Sequence, residues 1–346
     1  MYERKESNIA MTPIFDEKRP IDLICMGRVA VDLYAEQIHF PLSKVETFRK
    51  YLGGCAGNIA VGSARLGLKS MMFSCVGQDA MGEFLKETLV KEGVYCDLLY
   101  ETAHHLTGLV LLGIDPPDHF PLIFYRKDCA DMQLKPEQVK EECIKKSKAL
   151  LITGTGLSTK SMQKTTEYAV ELAKKMQTAV IIDLDFRPVL WGLTALGDGE
   201  TRYQESQKVS ATYQKIVPHC DLIVGTEEEF CIASGQKNKE DAIYFLHQLT
   251  DAPLVIKQGE KGCCVHFSSR PSLISKSFPV KILNVLGAGD AFIAGLLRGL
   301  LRGESWEVAT TFANANGALV VTRHGCAPAM PYFDELVHFI EERECA

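Results

Sequence analysis

The most constraining feature of this sequence is the run at residues 284–292, which reads Asn-Val-Leu-Gly-Ala-Gly-Asp-Ala-Phe. Its glycines let the backbone turn tightly and approach a ligand closely, and the apolar spacing that follows predicts a helix. The free N–H groups at a helix start attract anions, phosphate in particular. We therefore predict a phosphate-binding turn at Gly287, Ala288 and Gly289.

The acid that follows this turn, Asp290, needs its own explanation, because a carboxylate repels the anion that the turn attracts. A carboxylate beside a phosphate suits a general base, which takes the proton of an attacking hydroxyl. The structural alternative is an acid in the first helical turn, where it interacts favourably with the helix dipole. The motif alone leaves both interpretations open.

A second glycine-rich run, at residues 53–67, begins Gly-Gly-Cys-Ala-Gly-Asn and continues as a predicted helix with small residues. Asn58 lies in its first turn, where an amide can both donate to and accept from a sugar hydroxyl. Together the two runs resemble the two signatures of the ribokinase-like sugar kinases, the PfkB family. These signatures are a Gly-Gly motif ending in Gly-x-Asn and a late Gly-Ala-Gly-Asp. The resemblance covers roughly residues 21–330.

The resemblance implies an α/β fold, a ribokinase-like three-layer sandwich with a mostly parallel central sheet and a small β-lid. The alternation of predicted strands and helices along the chain favours the same sheet. We expect a flexible arm at residues 1–20 and a single kinase domain at residues 21–342. The lid is expected from about residues 34–52 and 106–126, whose strand-like patterns are broken by Pro, Gly and Asp.

For substrate binding, the resemblance indicates Asp32, Gly54 and Asn58. Asp32 follows Gly27, the glycine that ends the first predicted strand, by five residues. A carboxylate at this place can accept two sugar hydroxyls at once. The structural alternative is an aspartate that forms a loop turn.

The end of the lid suggests an acidic substrate. Residues 120–126 read Phe-Pro-Leu-Ile-Phe-Tyr-Arg, similar to the family members that phosphorylate keto-deoxy acids in inositol catabolism. Arginine suits a carboxylate because it can form two parallel hydrogen bonds, so Arg126 is predicted to bind the substrate. The alternative is a surface pair of Arg126 with Asp128 or Asp131.

A further arginine follows a predicted strand, in a run at residues 183–188 that resembles the family segment Asp-x-Asn-x-Arg. Asp185 occupies the place of Asn. The resemblance implies that Arg187 faces the transferred phosphate or the substrate acid. An ion pair of Arg187 with Asp183 is the structural alternative.

Nucleotide binding is expected where the family binds it, at a turn after a predicted strand. The residues are Lys257, Gly259 and Gly262. Asn316, on a predicted helix rich in small residues, is an expected adenine contact, with simple packing as the alternative. The cofactors implied are ATP and Mg²⁺.

Two departures from the family pattern concern the ions. Glu228 takes the place of the Glu in the family's Asn-x-x-Glu and is the expected Mg²⁺ residue, although Gly225 replaces the Asn. A first-turn Glu also interacts with the helix dipole without any metal. Asn284 stands where the family commonly has Asp, which leaves a monovalent cation open.

The expected reaction is ATP-dependent phosphorylation of the primary hydroxyl of an acidic keto-deoxy sugar, with Asp290 as general base. The resemblance favours 5-dehydro-2-deoxygluconate. The alternatives are 2-keto-3-deoxygluconate, a neutral sugar such as ribose or fructose, and a non-catalytic sugar-binding regulator. A dinucleotide dehydrogenase is disfavoured, because Gly27 is followed by Arg28 rather than by a Gly-x-Gly-x-x-Gly pattern.

The composition limits the kinds of partner that the protein can have. The net charge of -6 and pI near 5.9 disfavour a nucleic-acid partner. No apolar run is long enough to cross a bilayer, and residues 1–20 lack a signal-peptide core, so a cytoplasmic protein is expected. The twelve cysteines lack Cys-x-x-Cys spacing and are predicted to be reduced, buried thiols. The resemblance implies a sugar acid and ATP as partners, and also a second copy in a homodimer, because lid strands with exposed edges often pair between subunits in this family.

Overall fold

Strands alternate with helices along most of the protein, whose computed structural model describes residues 15–116 and 119–344. The strands are β1 (Ile21–Met26), β2 (Ala30–Ala35), β3 (Phe48–Gly53), β4 (Ser70–Gly77), β5 (Tyr95–Thr102), β6 (Leu109–Leu112), β7 (Leu122–Tyr125), β8 (Ser147–Thr153), β9 (Ala179–Asp183), β10 (Leu222–Thr226), β11 (Leu254–Lys257), β12 (Cys263–His266) and β13 (Leu273–Ser275). The helices are α1 (Cys55–Arg65), α2 (Ala80–Lys91), α3 (Glu141–Lys145), α4 (Lys160–Lys175), α5 (Gln207–Ile216), α6 (Glu227–Ser234), α7 (Lys239–His247), α8 (Ala288–Leu300), α9 (Trp306–Val321) and α10 (Phe333–Glu344).

Within the described residues, the central sheet has nine strands in the order β13-β12-β11-β10-β9-β8-β1-β4-β5. The seven strands β11-β10-β9-β8-β1-β4-β5 pair in parallel with their neighbours in this series. β12 and β13 pair antiparallel and form one edge of the sheet. β4 and β8 are buried along their whole lengths, as parallel strands are when helices cover both faces. The predicted mostly parallel sheet is confirmed.

Successive side chains of a strand point to opposite faces of the sheet. The side chains of β1 therefore show which residues form the helical layer on each face. Ile24 and Met26 enter one apolar cluster, which side chains of α3–α7 complete. Leu23 and Cys25 enter another, which α1, α2, α8 and α9 complete. The sheet is therefore covered by a helical layer on each face, as the sandwich prediction requires.

A small second sheet has the strand order β3-β2-β6-β7. β2 pairs antiparallel with β3 and parallel with β6, and β6 pairs antiparallel with β7. Its inner face carries an apolar cluster that includes Tyr34, Leu112 and Phe124. The predicted second sheet is confirmed, although β2 begins at Ala30, earlier than expected. Its action as a lid stays a prediction.

The expected flexible arm at residues 1–20 is corrected at its C-terminal end. Residues 1–14 lie outside the described part of the chain. Arg19, however, donates to the carbonyl of Ser147 at 2.9 Å, to Thr178 Oγ1 at 2.5 Å and to the carbonyl of Met176 at 2.7 Å. A fourth acceptor, the carbonyl of Gln177, lies 3.1 Å from the same guanidinium, and together these bonds hold the segment against the central sheet.

The cysteines of the described residues are all free, and nine of these eleven are buried. Burial of an uncharged thiol in an apolar surrounding is ordinary packing. No helix in the described ranges combines the length and apolarity that crossing a membrane requires.

The close packing of α8 on α9 yields the first prediction. A Cβ on Gly295 would lie 2.5 Å from the carbonyl oxygen of Phe312, whereas a Cβ on Gly317 would meet its nearest neighbour, the carbonyl oxygen of Ala288, at 3.4 Å. We expect Gly295→Ala to lower the free energy of unfolding by about 1–3 kcal/mol, because the helices must separate. Gly317→Ala, the matched control, should change it by less than about 1 kcal/mol. Urea denaturation measures both, and equal effects would contradict the packing argument.

Candidate active site

The glycine-rich turn lies at the start of α8, as predicted. Gly287 has φ 85°, and a Cβ there would lie 2.0 Å from Cys326 Sγ, so only glycine fits. Ala288 begins the helix, and Gly289 and Asp290 lie in its first turn. A Cβ on Gly289 would meet Lys257 Nζ at 3.3 Å. An ammonium group therefore lies beside the helix start, which strengthens its suitability for an anion.

Asn284 shapes the loop that leads into this turn. Its side chain is fully buried. Its Nδ2 donates to the carbonyl of Gly325 at 3.3 Å, and its Oδ1 accepts from the N–H of Leu286 at 3.0 Å. An amide can make both bonds, whereas a carboxylate could make only the second.

The two glycine-rich runs meet at Asp290. Gly54 has φ 87° and precedes α1, in whose first turn Asn58 lies. Asn58 Nδ2 donates to Asp290 Oδ2 at 2.7 Å. Burial and the nearby Asp185 raise the pKa of Asp290, although the Asn58 bond opposes this shift. A carboxylate with a raised pKa is a stronger proton acceptor once ionised.

Asp32 lies in β2, beside the same pocket, and is buried. A Cβ on Gly53 would lie 2.0–2.2 Å from its carboxylate atoms, so glycine in β3 makes room for this acid. Burial raises the pKa of Asp32 to about 7, although Arg28 and Arg126 oppose the shift. Among the described residues its carboxylate accepts no hydrogen bond that would compete with a ligand.

A buried ion network centres on Asp185, whose φ of 28° is unusual for a non-glycine residue. Arg28 lies 2.9 Å from one carboxylate oxygen of Asp185, and Arg187 lies 3.2 Å from the other. Burial opposes ionisation, but the two guanidinium groups lower the pKa of Asp185 to about 2. Arg187 also lies 3.8 Å from Glu229, so its ion-pair partners are Asp185 and Glu229 rather than Asp183, which was the structural alternative.

Asp183 instead pairs with the lysine at the end of β11. Lys257 Nζ lies 3.1 Å from Asp183 Oδ1, and Cys55 Sγ donates to Asp183 Oδ2 at 3.1 Å. Burial raises the pKa of Asp183 to about 6, although Lys257 opposes the shift. Ligand atoms of Cys55, Asp183 and Asp290 lie within 4.8 Å of one another, close enough for one cation.

Most of the predicted substrate and phosphate residues converge on one pocket. Six of them line it: Asp32, Gly54, Asn58, Arg187, Gly287 and Asp290. Ala288, Gly289 and Lys257 lie beside it at the start of α8. The carboxyl ends of β1, β9 and β11 lead into this region, which is where parallel sheets bind ligands.

Arg126 does not line this pocket, and its contact with the substrate stays a prediction. Its side chain is buried and forms an ion pair with Asp131, which was the structural alternative. It lines a different cavity, next to Asp128 and Leu190. The cause is Asp131, which the 3-10 turn at Ala130–Met132 buries next to the guanidinium. Arg126 therefore already has a carboxylate partner, but its charge also lowers the pKa of Asp32, and its Nη1 has no hydrogen-bond partner among the described residues.

Two further expectations are corrected by side-chain direction. Asn316 is fully buried and donates to the carbonyl of Ala291 at 2.6 Å, so it packs α9 on α8 and cannot reach an adenine. Glu228 is exposed on α6, whereas its neighbour Glu229 is buried beside Arg187 and Lys257. Adjacent helical residues point about 100° apart, so only Glu229 faces the site.

The turn expected to bind the nucleotide connects β11 to β12. Gly262 has φ 92°, and a Cβ there would lie 2.0 Å from the carbonyl oxygen of Ser275. Gly259 has φ 57° with open space around its Cα. Both glycines are thus explained by turn geometry, and their contact with a nucleotide stays a prediction.

Arg28 and Glu229 are among the site residues that were not selected from the sequence. Arg28 follows Gly27 directly and is the only charged residue between β1 and β2. This isolated charge was the one feature of the sequence that could have indicated a role for Arg28. Glu229 caps α6, since its Oε2 accepts from the N–H of Thr226 at 2.8 Å. Its Oε1 also accepts from the N–H of Phe186 at 3.0 Å, a contact that no local pattern indicates.

The raised pKa of Asp32 yields the second prediction. In the folded chain the Asp32 carboxyl stays protonated up to about pH 7. In the unfolded chain it loses its proton near the ordinary pKa of an aspartate. The free energy of unfolding therefore falls as pH rises towards 7. Asp32→Asn removes the buried charge, so the melting temperature should rise, and by more at pH 8 than at pH 5. Calorimetry without ligand tests this, with the exposed Asp97→Asn as control; a larger gain at pH 5 would overturn it.

Known proteins share this architecture and sequence pattern. The chain is 35% identical to a 5-dehydro-2-deoxygluconokinase from Clostridium tetani over 339 residues, 95% of this chain and 96% of that protein. It is 32% identical to a protein of the same name from Geobacillus thermodenitrificans over 337 residues, 96% of each chain.

Solved structures confirm the ribokinase-like fold. A putative ribokinase II from E. coli, in complex with ATP and Mg²⁺, superposes with a TM-score of 0.83 at 22% identity. A fructokinase double mutant from Vibrio cholerae O395, bound to fructose, ADP and potassium, gives 0.79 at 26% identity. Each comparison covers 93% of this chain and 99% of the other. Residues 21–332 match the pfkB family carbohydrate kinases, and the protein therefore belongs to that family and is a carbohydrate kinase.

Proposed function

We propose that the protein transfers the γ-phosphoryl group of ATP to the primary hydroxyl of 5-dehydro-2-deoxy-D-gluconate. The observation that carries the phosphotransfer is Asp290, a carboxylate at a helix start, hydrogen-bonded by Asn58 and facing the same pocket as Asp32. The names of the two relatives above support the choice of sugar.

The proposed catalytic step is proton removal by Asp290. Its carboxylate takes the proton of the primary hydroxyl as the oxygen attacks the γ-phosphorus of ATP. The N–H groups of Gly287, Ala288 and Gly289 face the negative charge that grows on the phosphoryl oxygens. Arg187, which lines the pocket, adds positive charge at the same place. Preorganised dipoles of this kind act strongly where water is excluded.

The sugar is positioned by Asp32 and Asn58. Asp32 accepts two hydroxyls, since its carboxylate is otherwise without a hydrogen bond within the described ranges. Asn58 Oδ1 is buried and lacks a hydrogen-bond partner in the described part of the protein. A buried amide oxygen without a partner is costly, and a sugar hydroxyl would satisfy it.

ATP and Mg²⁺ fit the residues beside α8. Lys257 and the helix start offer positive charge to the phosphates, and the turn at Gly259–Lys261 lies at the end of the same strand. Asp183 and Glu229 supply oxygen donors of the kind that Mg²⁺ prefers. When bound, Mg²⁺ neutralises charge on the nucleotide phosphates. Asn284 stands where the family commonly has Asp, and its amide bridges two backbone segments. We therefore expect that the activity does not depend on a monovalent cation at this place.

The small sheet is proposed to act as a lid. Val110, Leu112, Leu122 and Phe124 from its inner face line the sugar pocket, and apolar side chains at this place would exclude water during transfer. Its outer strands β3 and β7 have unpaired edges within the described residues. Edges of this kind invite pairing, which supports a homodimer.

The general-base assignment yields the third prediction. Asp290→Asn keeps the size of the side chain but cannot accept the hydroxyl proton, so kcat should fall about 10²- to 10⁴-fold. ATP binding, measured by calorimetry, should be retained. The matched control is Asp334→Asn, another acid in the first turn of a helix, which should retain full turnover. An Asp290→Asn enzyme with more than half of the wild-type activity would reduce Asp290 to a helix-capping residue.

The substrate yields the fourth prediction. We expect kcat/KM to be highest for 5-dehydro-2-deoxygluconate, with 2-keto-3-deoxygluconate next, and neutral sugars lower by about tenfold to a hundredfold, since they lack a charged contact. ATP consumption with both acids, ribose and fructose measures the order, and phosphorus NMR identifies the hydroxyl that is modified. A neutral sugar with the highest kcat/KM would overturn the proposed substrate. No ATP consumption with any sugar would instead support a non-catalytic regulator.

A further inference from the structure

The substrate pocket contains an arginine that the sequence did not single out. Arg202 lines it together with Arg28 and Arg187. Arg202 belongs to residues 192–206, the irregular segment between the 3-10 turn at Pro188–Trp191 and α5. Most side chains of this segment are exposed, and that of Arg202 is among them although it lines the pocket. The position of Arg202 nevertheless needs a structural explanation.

Local hydrogen bonds and the small sheet hold this segment in place. Asp198 accepts from the N–H of Thr201 at 3.1 Å and from its hydroxyl at 2.8 Å. A Cβ on Gly199 would lie 2.3 Å from the carbonyl oxygen of Leu122, so the backbone rests directly against β7. Glu200 lies 3.3 Å from His119. Arg202, one residue after Thr201, is thereby brought to the pocket from the side of the small sheet.

Arg202 differs from the neighbouring arginines in its charge balance. Arg28 and Arg187 pair with Asp185, and Arg126 pairs with Asp131. Arg202 makes no ion pair or hydrogen bond with any described residue. Repulsion from Arg187 is the main cause that lowers the pKa of the Arg202 guanidinium below its ordinary value. A guanidinium stays charged at neutral pH even so, and the two carboxylates that attract it, Glu229 and Asp185, already pair with Arg187.

We propose that Arg202 binds the carboxylate of the sugar acid and sets the preference for an acidic substrate. This inference rests on the proposed function. The phosphate groups have cationic and N–H partners of their own at Lys257 and the start of α8, on the side of the central sheet. Arg202 belongs to a segment whose backbone rests on β7, and it lines the pocket together with Leu122 and Phe124 of the small sheet. An arginine fork matches a carboxylate with two parallel hydrogen bonds.

The experiment compares two ligands that differ only in charge, 5-dehydro-2-deoxygluconate and its uncharged primary amide. For Arg202→Gln, kcat/KM for the acid should fall about tenfold to a hundredfold, whereas that for the amide should change less than about threefold. Calorimetric binding of the acid without nucleotide should weaken by the same factor. Arg202→Lys should restore part of the acid preference. Lys208→Gln, a nearby exposed cation on α5, is the matched control and should change neither value.

A second variant tests the placement of the segment. Gly199→Ala puts a methyl group against the Leu122 carbonyl, so it should reduce the acid preference while Arg202 is intact, with folding checked by circular dichroism. Equal losses for acid and amide in Arg202→Gln would overturn the inference and assign Arg202 to the phosphoryl group. Unchanged kinetics would also overturn it. A wild-type enzyme that prefers neutral sugars would instead refute the proposed function itself, so the two failures are distinguishable.

Discussion

The rest of the site depends on the hydrogen bond between Asn58 and Asp290, which lie 232 residues apart in the chain. It joins the first turns of α1 and α8, each of which begins after a glycine with positive φ. Close packing of the two helices makes the bond reachable: a Cβ on Gly62 of α1 would lie 3.0 Å from Ala294 Cβ of α8. The bond orients the carboxylate, and the same helix start offers its N–H groups to an anion.

The second constraint on the site is its buried charge. Asp32, Asp183, Asp185 and Asp290 lie close together, and burial by itself raises the pKa of each. Only Asp185, held between two guanidinium groups, has a pKa below the ordinary range. Removing ions from water is expensive unless each finds a partner. Asp185 thus acts as a structural anion that positions Arg28 and Arg187, while Asp32 and Asp290 keep oxygen atoms free for hydroxyl groups.

Much of this arrangement could be predicted from short stretches of sequence. Both helix starts, Asp290, Asn58 and Asp32 were placed correctly in one pocket, because glycine turns and helix starts are local and their backbone N–H groups point in a known direction. The mostly parallel sheet followed from the alternation of strand and helix. Arg126, Asn316 and Glu228 do not line this pocket, although each lies on or next to the element that was predicted for it.

The sequence by itself determined the alternation of strands and helices, the two helix starts that follow glycine turns, and the carboxylate at the second of them, since all of these are set by backbone conformations within a few residues. Only the tertiary structure decided which charged groups are already paired. Asp131 neutralises Arg126, and Glu229 rather than Glu228 turns towards Arg187 and Lys257. Contact with the small sheet brings Arg202 to the pocket. A charged side chain is free for a ligand only if no other part of the chain supplies its counterion, and that depends on long-range packing.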